Sequence, residues 1–359
     1  MTREFRVIVV GAGPAGAATT LALQRKGIAT TLVDRSLISK WRIGETLAPE
    51  ARHLLDAFGL MEAFLDGHHL ACHGISSAWG EEALATTDFI FNPNGCGWQL
   101  DRAEFDTAFV HAAQRSGANV LRGQSILAIR RQGDIWEVET NAEKLRACYL
   151  VDATGHASVI AKRMGASRTT LDRLVSVYLR ADATILSDRD TRTLIEAVPD
   201  GWWYTALTPG GKRTVSFQTD IDLLKRANWR SSSWFQTRIR ETRHLYELLK
   251  VSEYSFATFP SIISARSSRL DKFFGDAWVA VGDAAVSFDP LSGQGMLRAI
   301  EAGVMAADAL AAGSGGLESY AVWVASVWKS YVKSWNRYYR VESRWPDQPF
   351  WARRHGAID

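Results

Sequence analysis

Short apolar runs that end on glycine and lead into helical periodicity organise this chain. Phe5 to Val10 is the first, read as a buried strand; it breaks into Gly11, Gly13 and Gly16. A helical pattern rich in Ala and Leu follows to Lys26, and a second apolar run, Thr30 to Val33, ends on Asp34. Arg42 to Thr46 reads as a loop and Pro49 to Phe58 as a helix. Residues 72 to 97 mix strands with loops, and Trp98 to Leu100 is a short strand before Asp101, a natural cap for a helix from Arg102 to Ser116. Alternation over 126 to 140 predicts a hairpin around Gly133 and Asp134. Leu145 to Ala153 and Ala277 to Val281 are further buried strands, each running into a glycine turn. Between them, 173 to 219 reads as repeated strands and 231 to 250 as a polar helical stretch. Helical spacing then dominates to about Tyr339, before a tail rich in Arg, Trp and Pro.

The opening segment is strand, glycine turn, helix, strand and acid, the context that a dinucleotide fingerprint requires. Gly11 permits the tight turn, Gly13 lets backbone approach a pyrophosphate, and Gly16 lets the helix pack closely on the strand. Pro14 and Ala15 open that helix, whose N–H groups face the phosphates. Asp34, followed by Arg35, is placed to accept ribose hydroxyls. The fold class implied is α/β: a Rossmann-like domain made of 1–75, 98–165 and 270–312. A β-rich unit of 76–97 and 166–269 interrupts it, and a helical C-terminus of 313–359 follows.

Composition changes little: 359 residues, 47% hydrophobic, 23% charged and net charge +3. That balance gives no reason to expect nucleic acid. Cys72, Cys96 and Cys148 follow no metal spacing and suit reduced thiols. No run is long enough to span a bilayer and the first strand starts at once, so a cytoplasmic protein without a signal peptide is the expectation.

Two later segments favour FAD over NAD. VDATGHASVIAKRMG (151–165) is a strand ending in a turn at Gly155. In VAVGDAAVSFDPLSGQGM (279–296), Gly282 and Asp283 follow a strand, so the carboxylate can accept from a polyol hydroxyl. Pro290, Gly293, Gln294, Gly295 and Met296 form a loop that opens a helix, where negative charge on a reduced flavin ring would be stabilised. FAD must be held at both ends, and a second anchor of this kind serves that need.

GAGPAG with Asp34, the triplet Gly44, Glu45, Thr46, LDRAEFD, DATG and GDAA…DPLSGQG together resemble the single-component aromatic hydroxylase and flavin-dependent halogenase superfamily. The resemblance implies an FAD domain with an inserted antiparallel sheet over the flavin. It also places Arg42 and Arg102 near the cofactor, Asp283 on the ribityl hydroxyls and Gly293 to Gly295 beside the pyrimidine edge. Halogenases of that superfamily rely on a lysine some thirty residues beyond the triplet. This chain has none between Lys40 and Lys144 and lacks their WxWxIP run, so hydroxylation is the favoured chemistry. GWWY (201–204), DPLSGQG and the ending RVESRWPDQPFWARRH resemble flavoprotein maturases of tryptophylquinone enzymes, the LodB, GoxB and QhpG type. That resemblance implies noncovalent FAD, oxygen as co-substrate, and NAD(P)H or a separate flavin reductase as electron source. The implied partner is a quinone-cofactor oxidase precursor whose tryptophan is oxygenated; a small-molecule hydroxylase or halogenase, or a non-oxygenating flavin reductase or dehydrogenase, is the alternative.

Candidates for proton transfer are Glu45, His68, His69 and His73, with Trp203 and Tyr204 as contacts to the substrate ring. Each histidine also reads as a solvated or core side chain, and Trp202 and Trp203 equally as core. On the helix from Leu317 to Arg340, Tyr320, Val324, Val327, Tyr331 and Trp335 share one side, and Lys329, Lys333, Arg337 and Arg340 the other. With Arg344, Arg353 and Arg354, that basic side is a candidate docking surface for an acidic protein.

Overall fold

β1 (Arg3–Val10), α1 (Pro14–Arg25) and β2 (Thr30–Asp34) form the expected opening unit in a computed structural model that describes residues 3–183, 188–224, 228–256 and 259–356. α2 (Arg102–Arg115) begins where Asp101 caps it, the carboxylate accepting from the N–H groups of Ala103 and Glu104. It leads into β3 (Asn119–Arg122), a strand the sequence pattern does not mark, which pairs parallel with β2. β1 lies between β2 and β4 (Lys144–Asp152), parallel to both, with Val10 opposite Val33 on one side and Asp152 on the other. Parallel strands are covered on both faces, which is why Val7, Ile8 and Val9 are all buried. The predicted hairpin is present as Ile126–Gln132 and Ile135–Thr140, and Trp278–Ala280 pairs parallel with the end of β4.

A second, mainly antiparallel sheet is the expected insertion. Its central order is β5 (Leu174–Ala183), β8 (Lys212–Asp220), β7 (Gly201–Thr208), β6 (Thr193–Val198), labels following the chain. β6 also pairs in parallel with Gly74–Ala78, which carries Ala85–Asp88 as the outer strand. Strand alternation gives this sheet two distinct faces. Val177, Leu179, Trp203, Val215 and Phe217 bury into a core closed by α3 (Ser232–Arg240) and α4 (His244–Val251). The opposite, inner face carries Ser176, Tyr178, Arg180, Trp202, Tyr204 and Thr214.

The long helical pattern divides into α5 (Gly295–Ala312) and α6 (Gly316–Val341). Gly313 and Gly315 separate them at φ +74 and +78, a region other residues enter only with strain. Gly303 lets α5 touch α1, since a Cβ there would stand 2.6 Å from the Ala15 carbonyl oxygen. The tail is not loose: α7 (Pro349–His355) folds back and buries Phe350 and Trp351 completely. Trp202, Trp335, Tyr331, Tyr339 and Trp351 form one cluster between the sheet's inner face and α6. A fully buried side chain of Phe size contributes roughly 2–3 kcal/mol, so this aromatic seam is a major part of what joins the two layers. Cys72, Cys96 and Cys148 are free, and among the described residues no helix is long and apolar enough to cross a membrane.

Candidate active site

The glycine turn has the shape its sequence predicts. Gly11 sits at φ +108, and a Cβ on it would lie 2.3 Å from the Ala153 carbonyl oxygen; on Gly16 it would lie 1.9 Å from the Gly11 oxygen. At Gly13 no atom comes within 4 Å of such a Cβ, so the backbone at the mouth of α1 opens onto free space. No side chain caps α1 and no acid lies in its first turn, leaving its first N–H groups for an incoming anion. Asp34 secures the turn, accepting from the N–H groups of Ala12 and Ser36 at 2.6 Å each, while Arg35 is exposed. Asp152, fully buried, fixes the end of β4. It accepts from the Thr154 N–H and hydroxyl and from the N–H groups of Ile160 and Ala161.

Space of the same kind opens at Gly155, Gly293 and Gly295, where an added Cβ would likewise meet nothing within 4 Å. Gly293 closes the Pro290–Ser292 turn at φ +61, and α5 begins at Gly295 with neither a side-chain cap nor an acid in its first turn. Gly282, at φ +56, packs against Ala15. The Asp283 carboxylate is half-exposed, 3.5 Å from Nδ1 of His156. Arg168 ties this segment down, donating to the carbonyls of Asp283 and Ala284 and to the Ser158 hydroxyl. The Ala15 and Met296 side chains are buried in the core, so each offers a ligand only its backbone. These naked backbone positions at two uncapped helix mouths fit a group such as FAD that needs anchoring at two places.

Between the two mouths lies the loop of residues 41–46. The Arg102 guanidinium, itself buried, donates to the Gly44 carbonyl at 2.7 Å and to both Asp106 oxygens at 3.3 Å; Arg42, half-exposed, reaches Asp106 at 3.6 Å. That grip turns Glu45 inward until it is 0% exposed. Its Oε2 accepts from the Gly44 N–H at 2.7 Å, and its Oε1 has no partner among the described residues. Burial pushes the Glu45 carboxyl above the usual range, against opposing effects from the Thr214 hydroxyl and Arg102. Tyr178, Arg180 and Tyr204 stand over it from the sheet's inner face, near enough for its charge to act on each. Trp41 closes the side: its ring lies 5.9 Å from that of Tyr178 and 4.9 Å beneath the Arg180 guanidinium. Thr46 and Tyr204 share a 2.6 Å hydroxyl contact, and Thr46 donates onward to Gln99.

Below the site, Asp289 is fully buried at the foot of the Pro290–Gly295 loop. One oxygen accepts from the Leu291 N–H; the other accepts from the Trp335 indole at 3.2 Å and the Tyr339 hydroxyl at 2.7 Å. The Asp289 N–H donates to the Tyr331 hydroxyl, and the Trp202 indole donates to that of Tyr339. Burial, with repulsion from Asp172, pushes Asp289 up to about 6.

Several sequence-based assignments need correction. Trp203 is buried on the far side of the sheet, stacked on Phe217 and edge-on to Phe235, so it cannot meet a ring beside Glu45. The one-residue step of a strand decides this: Trp202 and Tyr204 take the inner face and Trp203 the outer. His68 is exposed beside Glu104 and His73 is exposed. His69 accepts from the Asp101 N–H at 3.1 Å and packs on Phe64, with burial lowering its proton affinity; it braces the start of α2. Arg353 and Arg354 are not a free docking surface, since Arg354 is buried on Asp220 and Arg353 pairs with Asp220 and Asp222. Arg344 is likewise engaged, by Glu342. Trp41, Tyr178, Arg180 and Thr214 were missed, although the alternation in LVSVYLRADA puts Tyr178 and Arg180 on one face.

The model of the FAD binding domain family matches residues 4–321. LodB of Marinomonas mediterranea, described as an FAD-dependent oxidoreductase, is 30% identical over 364 residues, 98% of this chain and 97% of that protein. The myxobacterial chondrochloren halogenase CndH superposes with a TM-score of 0.88 at 20% identity, covering 98% of this chain and 86% of its own. QhpG, a peptidyl tryptophan dihydroxylase described as essential for tryptophylquinone cofactor biogenesis, superposes at 0.80 with 22% identity, covering 99% and 80%. At those identities the two structures share the fold.

Proposed function

This chain belongs to the FAD binding domain family, and from that premise we propose that it is an FAD-dependent monooxygenase that hydroxylates a tryptophan side chain of a precursor protein during tryptophylquinone biogenesis. The observation that carries the chemistry is the junction of loop and sheet. A buried carboxyl, Glu45, points an unpaired oxygen beneath Tyr178, Arg180 and Tyr204, with no lysine between residues 41 and 143. The likeness to LodB along nearly the whole chain, and the fold shared with QhpG, support the protein substrate.

In this reading the α1 mouth with Gly13 holds the pyrophosphate and Asp34 the ribose. Arg102, Arg42, Gly44 and Thr46 frame the middle of the cofactor, with Asp283 on the ribityl chain. The 293–295 backbone at α5 meets the pyrimidine edge. Bound FAD supplies the activation of oxygen, with NAD(P)H or a separate flavin reductase as electron source. The protein's own part is to exclude water beneath the sheet, orient the ring with Tyr204, and carry a proton at Glu45 Oε1. A carboxyl whose affinity for protons is raised by burial suits that task near neutral pH. Docking of the precursor falls to the exposed stripe of Lys329, Lys333, Arg337 and Arg340, none of which forms an ion pair among the described residues.

The test is to incubate FAD-loaded, reduced enzyme with oxygen and a tryptophan-containing precursor, in chloride and bromide, and weigh the product. Gain of oxygen on tryptophan is expected. A halogenated product, or oxygenation of small aromatic molecules only, overturns the reading.

A further inference from the structure

Arg180 is a cation in this site that forms no ion pair or hydrogen bond among the described residues. Its guanidinium is half-buried on the inner face of β5 and laid over Trp41. Its Nε lacks a partner. Each acid near enough to act on it is otherwise committed. Glu45 is fully buried, with one oxygen accepting from the Gly44 N–H. Asp101 caps α2. Asp182, two residues along the strand, is taken by Lys212 at 2.8 Å.

Buried polar atoms around Arg180 are also short of partners: Trp41 Nε1, and Thr214 Oγ1 (opposite Arg180 in register) with Glu45 Oε1, two atoms that face each other. A native structure rarely leaves several such atoms together unless a ligand or water completes them. A half-buried guanidinium without an anion carries a desolvation cost, and its planar fork matches a carboxylate with two parallel hydrogen bonds. The contact with Trp41, 4.9 Å from the ring centroid, restricts where that fork can go before any ligand arrives.

Resting on the reading that the substrate is a tryptophan within a protein, we infer that Arg180 binds a carboxylate carried beside the reacting ring. The preferred target is a tryptophan flanked by an acidic side chain, and Arg180 is the residue that sets this preference. The mouth of α1 is a separate anion site on a different element, so the phosphates of the cofactor do not account for Arg180.

The experiment uses FAD-loaded enzyme, wild type and Arg180→Gln, with two pairs of probes that differ only in charge. One pair is an end-blocked peptide with a Glu-Trp-Glu core against Gln-Trp-Gln; the other is indole-3-acetate against indole-3-acetamide. Dissociation constants are measured by fluorescence titration, with flavin absorbance confirming a loaded, folded variant. Wild type is expected to bind the acidic peptide about tenfold or more tightly than its amide partner, a ratio that falls to within about twofold in Arg180→Gln. Equal binding of the two peptides by wild type, or a preference that survives in the variant, overturns the assignment. If neither peptide binds while the indole pair shows an Arg180-dependent ratio, the protein-substrate reading fails and the carboxylate site stands. If both peptides are oxygenated equally well, that reading stands and the site falls.

Discussion

The Tyr339 hydroxyl donates to the Asp289 carboxylate across 2.7 Å, bridging fifty residues of sequence to join the last turns of α6 to the foot of the loop that opens α5. Through the same hydroxyl, which accepts from the Trp202 indole at 3.1 Å, the inserted sheet is tied to that loop. One phenol thus sets the spacing between the sheet and the backbone assigned to the flavin ring.

Tyr339→Phe keeps the ring and removes both bonds, leaving a buried indole N–H without an acceptor and Asp289 with one donor fewer. The expected loss is about 1–3 kcal/mol in urea unfolding, with weaker FAD retention. A variant as stable as wild type would show that packing alone holds α6 in place.

Asp289 also predicts how stability responds to pH. Its carboxyl is raised to about 6 in the fold, from 3.8 when exposed. Between those values the folded state keeps a proton that the unfolded state has released. This contribution is therefore full below about pH 4 and is lost as pH rises through 6, on the order of a few kcal/mol by linkage. Measured between pH 4 and 7, the stability of wild type relative to Asp289→Asn should fall with rising pH. A rise would contradict the assignment.

Gly13 and Gly16 separate cofactor binding from folding. A Cβ at Gly13 meets nothing, so Gly13→Val should unfold near wild-type denaturant concentration as apoprotein yet purify without flavin. At Gly16 a Cβ strikes the Gly11 carbonyl, so Gly16→Ala should lower apoprotein stability itself. Equal FAD content in Gly13→Val and wild type would move the pyrophosphate elsewhere.

Glu45→Gln retains the acceptor for the Gly44 N–H and removes the titrating proton. Turnover should fall by about 10²–10⁴, and the limb of the pH–rate profile that belongs to this carboxyl should disappear. Because burial raises Glu45, that limb lies above the ordinary carboxylate range. A variant with an unchanged profile would remove Glu45 from the reaction.

Arg354 and Arg353, adjacent in sequence, should behave differently. Arg354→Ala removes the buried partner of Asp220 and leaves only the Arg353 contact to answer its charge, so a loss of about 2–4 kcal/mol is expected. Arg353→Ala opens a half-exposed pair with Asp222 and leaves Asp220 still held by Arg354, so about 1 kcal/mol should be lost. Denaturant titration of both variants checks the contrast.

The first sheet was legible because it is local: each glycine, strand and acid of its opening unit lies within thirty residues of the next. The Asp101 cap and the 126–140 hairpin were readable for the same reason. Trp203 and Arg354 show where such reading stops. An aromatic residue in a strand names its face only once a neighbour's direction is known, and a surface-type charge becomes core when a distant acid such as Asp220 meets it. Asp289 was read as part of a loop motif, but its three aromatic partners at 331, 335 and 339 are visible only when α6 folds back. Arg180 looked like one polar residue of a strand until Trp41 and Glu45 came to lie beneath it.

The clamp on Asp289 also imposes an order on the protein's birth. A ribosome releases this chain from its amino end, and the glycine turn, β1 and β2 can assemble early. The loop before α5 cannot settle until Trp335 and Tyr339 have been made, and Asp220 waits still longer for Arg354. The α5 mouth therefore takes its final shape only near the end of synthesis, and the start of α1 gains its packing from Gly282 and Gly303 shortly before. The carboxyl-terminal segment is thus a condition for that loop, and a chain that stops short of Trp335 lacks the groups that anchor it.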